Sequence, residues 1–456
     1  MKKFIGRSHE LSLLKALINR PSASVMVYGK RKVGKTTLIM KALEGFPDRV
    51  VYFECLKAPL VDNVAAFVSE LFRQHILPVK LNFDSFTDVF AYLDSIGQPL
   101  AVVVDEYPYL KEFEDSALVD SQFQKIIDNH IGHIRLFLSG SHIGMMKDLL
   151  EERNALYGRF ALTLRLGELN YKESAGFYPE KSIYDKAGMY CIFGGSPFIN
   201  GFLSPDDDLK TNVVQTILNP DSPVFNYAEH LLISDYANSL NAERIMYAIS
   251  NGRKKYSEIE ELLNMKTNGL LSKQLASLLE MEILTKHYPI NRPDDRKKVS
   301  YELCDNLLRF YYAFVYKNKS ALIMLGADAF YEAYVKDRIL TFISYRFEEM
   351  CRTYFSLCVK SGQLNGVSNI GTYYYDDSTT HTNGEFDVVL ERQGSYDIYE
   401  AKYYAHPMSK AEMEQEALKI RNIKGIVPGN TGFLCISGFE PNELPYIQIS
   451  GEAMYE

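Results

Sequence analysis

The stretch VYGKRKVGKT constrains this chain of 456 residues more than any other. Gly29 and Gly34 bracket four residues, and Lys35 and Thr36 follow, which gives the pattern G-x-x-x-x-G-K-T. A tight turn that opens a helix aims several backbone N–H groups at a phosphate, and glycine permits the close approach. An apolar run precedes the stretch and a helical run follows it. A plain strand–helix connector can also contain glycines, but the complete pattern in this setting predicts a phosphate-binding loop.

The same stretch predicts which cofactors the loop binds. In such a loop Lys35 meets the β- and γ-phosphates of a nucleotide, and the hydroxyl of Thr36 holds Mg²⁺. We count Thr37, the next residue of the helix, among the nucleotide-binding residues. The sequence therefore predicts ATP and Mg²⁺ as cofactors.

A pair of acids follows a second apolar run, in PLAVVVDEYPYL. Asp105 is expected just outside the ligand shell of Mg²⁺, as part of the metal site, and Glu106 is expected to polarise the attacking water. Alone, such a pair is weak evidence, since the ends of strands often turn acidic where they meet solvent. Together with the phosphate loop, the pair predicts that the nucleotide is hydrolysed.

Two further polar positions come next along the chain. The stretch IRLFLSGSHIGMM predicts a buried strand that ends near Ser139, whose hydroxyl could orient the water or sense the γ-phosphate. A plain strand-to-helix turn explains this serine equally well. Arg159 precedes another strand and could reach a γ-phosphate in its own or a neighbouring subunit. A salt bridge at the edge of the sheet is an equally ordinary interpretation of Arg159.

Strands and helices alternate in the first third of the chain. Strands are predicted near 24–28, 50–55, 100–105, 134–139 and 161–166. Helices are predicted near 8–18, 35–44, 61–75, 86–95, 118–130 and 142–152. This alternation favours an α/β fold in which helices cover both faces of a parallel sheet. The length suggests roughly three domains.

The middle of the chain changes character after residue 169, where the predicted ATPase core (1–169) ends. A helical lid is predicted for 170–232, and the order of elements in 233–318 is typical of a winged helix. If that module binds DNA, Ser272, Lys273 and Gln274 would enter a groove and Arg296, Lys297 and Lys298 would contact phosphate. The alternative is that it packs inside the protein as a lid or an interaction domain.

The last part of the chain, 319–456, contains the stretch GEFDVVLERQGSYDIYEAKYY, with the pattern D…E-x-K. Glu400 and Lys402 lie on one face of a strand because side chains alternate, and a hairpin can bring Asp387 beside them. Two acids and a lysine at one strand end can hold Mg²⁺ and activate water against a phosphodiester. Glu348 could approach from a preceding helix. The pattern alone is weak, but charges among Val, Ile and Tyr need partners.

Composition limits the other classes of function. The formal net charge of −8 excludes a global field that attracts nucleic acid, so such a contact must be local. The six cysteines include no C-x-x-C pair and are expected to be reduced. Neither a signal peptide nor a run long enough to span a bilayer is recognised, so we expect a soluble, cytoplasmic protein that does not contact membranes.

Several stretches resemble one family of P-loop ATPases, the archaeal-type ATPases of the AAA+/STAND group that end in a PD-(D/E)xK nuclease-like domain. The resemblance rests on FIGRSHEL, YGKRKVGKT, VVVDEYPYL, LSGSHIGMM, LYGR, FGGSPFI, RFEEMC, GEFDVVL and YEAKYY. It implies that Gly6 and Arg7 lie near the adenine or the phosphates and that Pro197 approaches the base. It also implies a restriction-endonuclease-like α/β fold for the last domain.

We therefore expect an ATP-dependent switch that acts on nucleic acid, DNA in particular, through a metal-dependent nuclease-like domain. The alternative is a regulatory ATPase whose last domain binds DNA or a protein without cutting. An ATP-binding scaffold with negligible turnover is a third possibility. A homo-oligomer is compatible with each of them.

Overall fold

The computed structural model describes residues 4–113, 116–236, 241–250, 252, 254–264, 269–377, 382–423 and 426–456. The chain divides into two compact units. The first contains Met1–Leu169 and Ser196–Phe198, and the second contains Asn170–Gly195 and Ile199–Glu456. The finer division into core, lid, winged helix and last domain stays a prediction.

The first unit is built on a five-stranded sheet. Its strands are β1 (Ala23–Tyr28), β2 (Arg49–Glu54), β3 (Leu100–Asp105), β4 (Ile134–Gly140) and β5 (Leu162–Arg165). The order across the sheet is β2-β3-β4-β1-β5, and each neighbouring pair is parallel. Every residue of β1, β3 and β4 is buried, as expected of parallel strands covered on both faces. The predicted parallel sheet is confirmed.

Six helices of this unit pack on the two faces of the sheet. They are α1 (Ser8–Ile18), α2 (Lys35–Ala42), α3 (Leu60–Arg73), α4 (Phe86–Ser95), α5 (Ser116–Asn129) and α6 (Ile143–Asp148). One apolar cluster contains residues of α3, α4 and α5, and Phe67, Phe86 and Phe123 are fully buried in it. The other cluster contains residues of α1 and α2, among them Leu14 and Leu38. The two clusters use opposite faces of the strands, since alternate side chains point to opposite sides.

The segment predicted as a helical lid belongs almost entirely to the second unit. Its helices are α7 (Tyr171–Ser174), α8 (Ile183–Phe193), α9 (Pro197–Asn200), α10 (Leu209–Gln215) and α11 (Pro223–Tyr236). The carbonyl of Tyr190 in α8 accepts a hydrogen bond from the Asn306 amide at 3.0 Å. The carbonyl of Tyr184 accepts one from the Tyr403 hydroxyl at 2.9 Å, and the two tyrosine rings stack. Helix α8 is therefore anchored to elements much further along the chain.

The next elements have the order predicted for a winged helix. They are α12 (Ala242–Ser250), β6 (Lys254–Lys255), α13 (Tyr256–Leu263), α14 (Leu270–Glu280), β7 (Leu284–His287) and β8 (Ser300–Leu303). The three strands form an antiparallel sheet in the order β6-β8-β7. Gln274 of α14 is buried, whereas Ser272 and Lys273 are exposed. The expectation that Gln274 enters a DNA groove is therefore wrong, because this side chain faces the core of its own module.

The remaining helices and strands form the C-terminal part of the second unit. The helices are α15 (Asn306–Phe310), α16 (Lys319–Leu325), α17 (Ala327–Phe330), α18 (Ile339–Lys360), α19 (Lys410–Asn422) and α20 (Gly451–Tyr455). The strands are β9 (Asn369–Asp377), β10 (Thr382–Arg392), β11 (Ser395–Lys402), β12 (Pro428–Cys435) and β13 (Ile447–Ser450). Their order is β13-β12-β11-β10-β9. Strands β9, β10 and β11 pair antiparallel, and β11, β12 and β13 pair parallel.

The loop between β7 and β8 contacts the edge strand β9. The Ile290 amide donates to the Thr372 carbonyl at 2.7 Å. The Asn291 side chain donates to the Tyr374 carbonyl at 2.8 Å and accepts from the Tyr374 amide at 3.1 Å. Lys298 Nζ lies 3.6 Å from the centre of the Tyr374 ring. The loop therefore covers part of an edge that would otherwise expose unpaired backbone groups, and Lys298 is not held ready for a phosphate as expected.

A buried group of charges joins the same module to α18. Glu302 Oε1 of β8 lies 3.0 Å from Arg309 Nη1 and 2.8 Å from Arg346 Nη1, and its Oε2 lies 2.5 Å from His287 Nε2. Arg309 Nη1 also lies 2.9 Å from Glu349 Oε2. Removal of one partner from such a group leaves an uncompensated buried charge, which is strongly destabilising. These contacts hold β8, α15 and α18 together.

Membrane insertion was tested by helix length and hydropathy. Within the residue ranges that the structure describes, every helix is too short or too polar to cross a bilayer.

Candidate functional site

The predicted phosphate loop lies between β1 and α2 and depends on two glycines. Gly29 has φ 152°, and a Cβ added there would lie 2.1 Å from the Leu166 carbonyl oxygen. Gly34 has φ 93° and precedes the first residue of α2, and a Cβ added to it would lie 3.7 Å from Pro197 Cγ. Other residues are strained at such angles or too large for such an approach. The loop thus leaves the N-terminal N–H groups of α2, including that of the exposed Thr37, without helical partners.

Lys35 occupies the inside of this loop. Its side chain is buried, and Nζ donates to the Gly29 carbonyl at 2.9 Å and to the Lys30 carbonyl at 3.0 Å. Burial lowers the pKa of Lys35, and the charges of Glu106 and Asp105 oppose that shift. The loop therefore contains a cation that bonds only the loop's own carbonyls in the contacts described, and these bonds can be exchanged for phosphate oxygens.

Asp105 is the point where four elements meet. Its Oδ2 accepts from Thr36 Oγ1 at 2.6 Å and from the Tyr52 hydroxyl at 2.9 Å. Its Oδ1 accepts from the Glu106 amide at 3.0 Å and from the Ser139 hydroxyl. Ser139 is fully buried, so its hydroxyl serves Asp105 in this structure. Its expected role toward the water or the γ-phosphate stays a prediction.

Glu106 follows β3 in a left-handed backbone conformation, φ 52° and ψ 45°. This conformation costs free energy in a residue other than glycine and is found mainly where function requires it. The Glu106 carboxylate accepts from the Ser141 amide at 3.0 Å and from the Ser141 hydroxyl at 2.7 Å. The predicted water-polarising residue is thus held at the carboxyl end of β4, the neighbouring strand.

The residues implied by the family resemblance surround the same loop. Gly6 and Arg7 both have positive φ, 71° and 62°. Arg7 is 6% exposed, and its guanidinium donates to the Val33 carbonyl at 3.5 Å and to the Gly167 carbonyl. Pro197 lies beside Gly34. The side chains thus lie where the resemblance implies, against the loop itself, but their contacts with a base or phosphate stay predictions.

Arg159 lies at the opposite end of the sheet from the phosphate loop. Its carbonyl accepts from Ser24 Oγ at 2.6 Å, near the start of β1, whereas Gly29 follows the end of that strand. Five residues of strand span roughly 16 Å. The guanidinium forms a salt bridge with Asp128 at 3.0 Å. The suggestion that Arg159 reaches a γ-phosphate in its own subunit is therefore wrong on distance, and the contact in a neighbouring subunit stays a prediction.

The D…E-x-K residues come together in the C-terminal sheet. Val388 of β10 pairs with Tyr399 of β11, so the next residues along, Asp387 and Glu400, lie opposite each other. Lys402 Nζ lies 3.3 Å from Glu400 Oε2. Burial raises the pKa of Glu400; Lys402 opposes the shift, and the charges of Glu416 and Asp387 add to it. The two acids are therefore close enough to repel each other, as they would be around a cation.

Glu416 of α19 is a member of this cluster that sequence reasoning missed. Its Oε1 lies 3.7 Å from Lys402 Nζ and 2.9 Å from Lys419 Nζ. Burial alone would lower the pKa of Lys402, but Glu400 and Glu416 outweigh it and raise the pKa. Lys402 is therefore an ammonium cation at neutral pH. Within the described ranges no three His, Cys, Asp or Glu side chains are grouped closely enough to form a metal site by themselves.

Glu348 reaches this region from α18. Arg352, one turn further along the helix, donates from Nη1 to the Asp387 carbonyl at 2.6 Å. Residues four apart lie on one face of a helix, so the half-buried Glu348 is on the face of α18 turned toward β10. Its role as a ligand or base stays a prediction.

Tyr52 and Ser141 are the contacts of the first unit that sequence reasoning left without a role. Tyr52 precedes the end of β2, and its phenol could have been noticed as a polar group inside an apolar strand. Ser141 follows Ser139 at the end of β4. Nothing in the sequence pairs either residue with its acid, because the pairing depends on which strands are neighbours.

Comparisons with family models agree with this site. Residues 4–198 match an ATPase domain found predominantly in Archaea. Residues 311–416 match a family of archaeal and bacterial proteins of unknown function. An uncharacterized protein of Methanocaldococcus jannaschii is 25% identical over 325 residues, which is 70% of this chain and 70% of that protein.

Solved structures add a likeness in fold. A Walker-type ATPase of Pyrococcus abyssi superposes with a TM-score of 0.51 at 17% identity, over 68% of this chain and 96% of its own. The ORC2 protein of Aeropyrum pernix, in ADPNP–ADP complexes, has a TM-score of 0.47 at 13% identity, over 71% and 96%. The fold, the phosphate loop and the family match define residues 4–198 as a P-loop ATPase domain of a kind found predominantly in Archaea. The winged-helix and nuclease-like assignments of the later residues stay predictions.

Proposed function

We propose that this protein binds ATP with Mg²⁺, hydrolyses it, and uses the cycle to control a nuclease-like domain that acts on nucleic acid. The observation that carries the ATPase part is the 2.6 Å hydrogen bond between Thr36 and Asp105. This bond joins the two motifs that such a site needs, beside the buried cation of Lys35.

The groups around the loop fit a magnesium nucleotide. Thr36 and Asp105 supply oxygen atoms, which Mg²⁺ prefers, and would hold the ion between them and the phosphates. When bound, Mg²⁺ would neutralise charge on the phosphate oxygens. Lys35 and the N–H groups at the start of α2 would bind those oxygens. Glu106 would orient the water and take up its proton, after leaving Ser141.

The nuclease-like part of the proposal rests on Asp387, Glu400 and Lys402. The sheet and its helices follow the order helix, three antiparallel strands, helix, strand, with the acids opposite each other in the middle strands. Asp387 and Glu400 would hold Mg²⁺ or Mn²⁺, with Glu348 nearby. Because Lys402 stays charged, we assign it to stabilising negative charge on a phosphodiester rather than to removing a proton.

Contact with nucleic acid would be local, because the net charge of the chain is −8. Arg296 and Lys297 are exposed in the loop between β7 and β8 and are the candidates for phosphate contact. DNA is the proposed partner, and assembly into a homo-oligomer would be needed for any role of Arg159 at a second nucleotide.

A second function is favoured by one contact. Glu416 shares Lys402 with Glu400. In a regulatory ATPase whose last domain binds DNA or a protein without cutting, this salt bridge would be structural. Nicking of supercoiled plasmid, measured with Mg²⁺ or Mn²⁺ and with or without ATP, separates the two functions. Metal-dependent nicking that Lys402→Ala abolishes supports the nuclease, and DNA binding without nicking supports the regulator.

A further inference from the structure

A tyrosine outside every nucleotide-binding motif contacts the carboxylate of the predicted magnesium site. The Tyr52 hydroxyl donates to Asp105 Oδ2 at 2.9 Å. The same oxygen accepts from Thr36 Oγ1 at 2.6 Å. Tyr52 lies in β2, beside Val103 of β3 in the parallel register. Neither the phosphate loop nor the acidic pair includes this strand.

Packing fixes the tyrosine ring and leaves only its hydroxyl for polar contact. The half-buried ring packs against the apolar cluster that includes Leu38 and Ile39 of α2 and Val103 of β3. Burial raises the pKa of Tyr52, and the charge of Asp105 raises it further. The phenol is therefore protonated at neutral pH and acts as a donor.

The donors around Asp105 match the acceptor capacity of a carboxylate. Two oxygens offer about four lone-pair sites. Thr36 and Tyr52 fill those of Oδ2, and Ser139 and the Glu106 amide fill those of Oδ1. With Tyr52 in place, Oδ2 has one site left, and the Thr36 hydroxyl hydrogen occupies it. The lone pairs of Thr36 Oγ1 then remain available for a cation.

We propose that Tyr52 is a positioning residue for the magnesium ion, which acts by holding Asp105 so that Thr36 presents its oxygen to the metal. The inference rests on the proposed Mg²⁺–ATP site. Without the phenol, water can take the second site of Oδ2, and both Asp105 and Thr36 gain rotational freedom. Groups that orient the residues of a metal site typically contribute about 10–100-fold to metal affinity.

The test separates metal binding from nucleotide binding in the full chain. A fluorescent non-hydrolysable ATP analogue is titrated in EDTA, and Mn²⁺ is then titrated into the protein–analogue complex by electron paramagnetic resonance. Tyr52→Phe is expected to bind the analogue in EDTA within about twofold of wild type and to bind Mn²⁺ about 10-fold more weakly. Tyr92→Phe is the matched control, since that half-buried tyrosine packs against Phe83 in the same unit.

Each result decides the inference. Unchanged Mn²⁺ affinity in Tyr52→Phe overturns it while leaving the Mg²⁺–ATP site intact. Equal losses of analogue and Mn²⁺ affinity, with a lower unfolding temperature, also overturn it, because they indicate a purely structural role. A wild-type protein that binds neither ligand overturns the proposed function together with the inference. Selective loss of Mn²⁺ affinity in Tyr52→Phe, absent from Tyr92→Phe, supports it.

Discussion

Thr36 donates a hydrogen bond to Asp105 across 2.6 Å, although 69 positions of sequence separate the two residues. The bond exists because β1 and β3 both end at the carboxyl edge of one parallel sheet, on either side of β4. Ligands of open α/β sheets bind at that edge. The relationship turns two separate motifs into one site, whose parts can be altered one at a time.

Lys35→Ala should weaken ATP binding by about 10–150-fold, the effect of losing one hydrogen bond to a charged group. Lys35 is the buried cation inside the loop, so no neighbouring side chain replaces it at the same place. Titration of a fluorescent ATP analogue measures the change. Lys30→Ala is the control, because Lys30 contributes its carbonyl to the contact described. Wild-type affinity in Lys35→Ala would remove this lysine from the site.

Glu106→Gln should leave ATP binding intact and lower the rate of hydrolysis by about 100-fold or more, since the amide preserves shape but cannot accept the proton. Phosphate release under saturating ATP measures the rate. Glu112→Gln is a suitable control, because the Glu112 carboxylate pairs with Lys57 on the surface. Normal turnover in Glu106→Gln would mean that another group polarises the water.

Any nuclease activity should require Mg²⁺ or Mn²⁺ and disappear in both Asp387→Ala and Glu400→Ala. Because the two acids serve one ion, the double variant should be no worse than either single one. Plasmid nicking measures the activity. Glu385→Ala is the control on the same strand, since Glu385 is exposed. Metal-independent cleavage, or cleavage that survives both changes, would leave these acids a structural role only.

Glu400→Gln should raise the thermal stability of the protein at neutral pH. Burial raises the pKa of Glu400, so its folded-state value lies above that of the unfolded chain, about 4.3. Folding therefore favours the protonated form, and the charged form costs stability above that pH. The gain should shrink as the pH falls toward about 4, where wild-type Glu400 becomes neutral as well. Calorimetry at several pH values checks this, and a lower melting temperature at pH 7 would contradict it.

ATP and DNA should strengthen each other's binding by the same factor, about 5–150-fold, if ATP drives a switch. Titration of DNA with and without a non-hydrolysable ATP analogue measures the factor. Replacing Arg296 and Lys297 by alanine should weaken DNA binding and reduce its salt dependence by about 0.9 per phosphate contact. Lys298→Ala should do less, since Lys298 stacks on Tyr374. Identical DNA affinity with and without the analogue would exclude the switch.

The sequence by itself determined the local features of the ATPase domain. The spacing of Gly29, Gly34 and Lys35 predicts the loop, and the apolar runs predict the strands, because period and turn chemistry are properties of neighbouring residues. The acids at the end of β3 follow from the same local pattern. The parallel sheet follows from alternation of strands and helices.

Only the tertiary structure decided which distant groups meet. Tyr52 reaches Asp105 because β2 lies beside β3, and Ser141 holds Glu106 because β4 follows β3 across the sheet. Strand order is a long-range property, set by packing rather than by the residues of either strand. For the same reason the sequence offered Arg159 to the nucleotide, whereas the parallel register places it at the other end of β1.

The second unit shows the same division at larger scale. The order of helices and strands was legible in the sequence, but the docking of the loop between β7 and β8 on β9 was not. Nor were Glu416 beside Lys402 and Glu302 between two arginines. A charged residue has the same sequence signature whether it faces solvent or a partner. Its burial, and therefore its chemistry, is decided only when separate elements pack together.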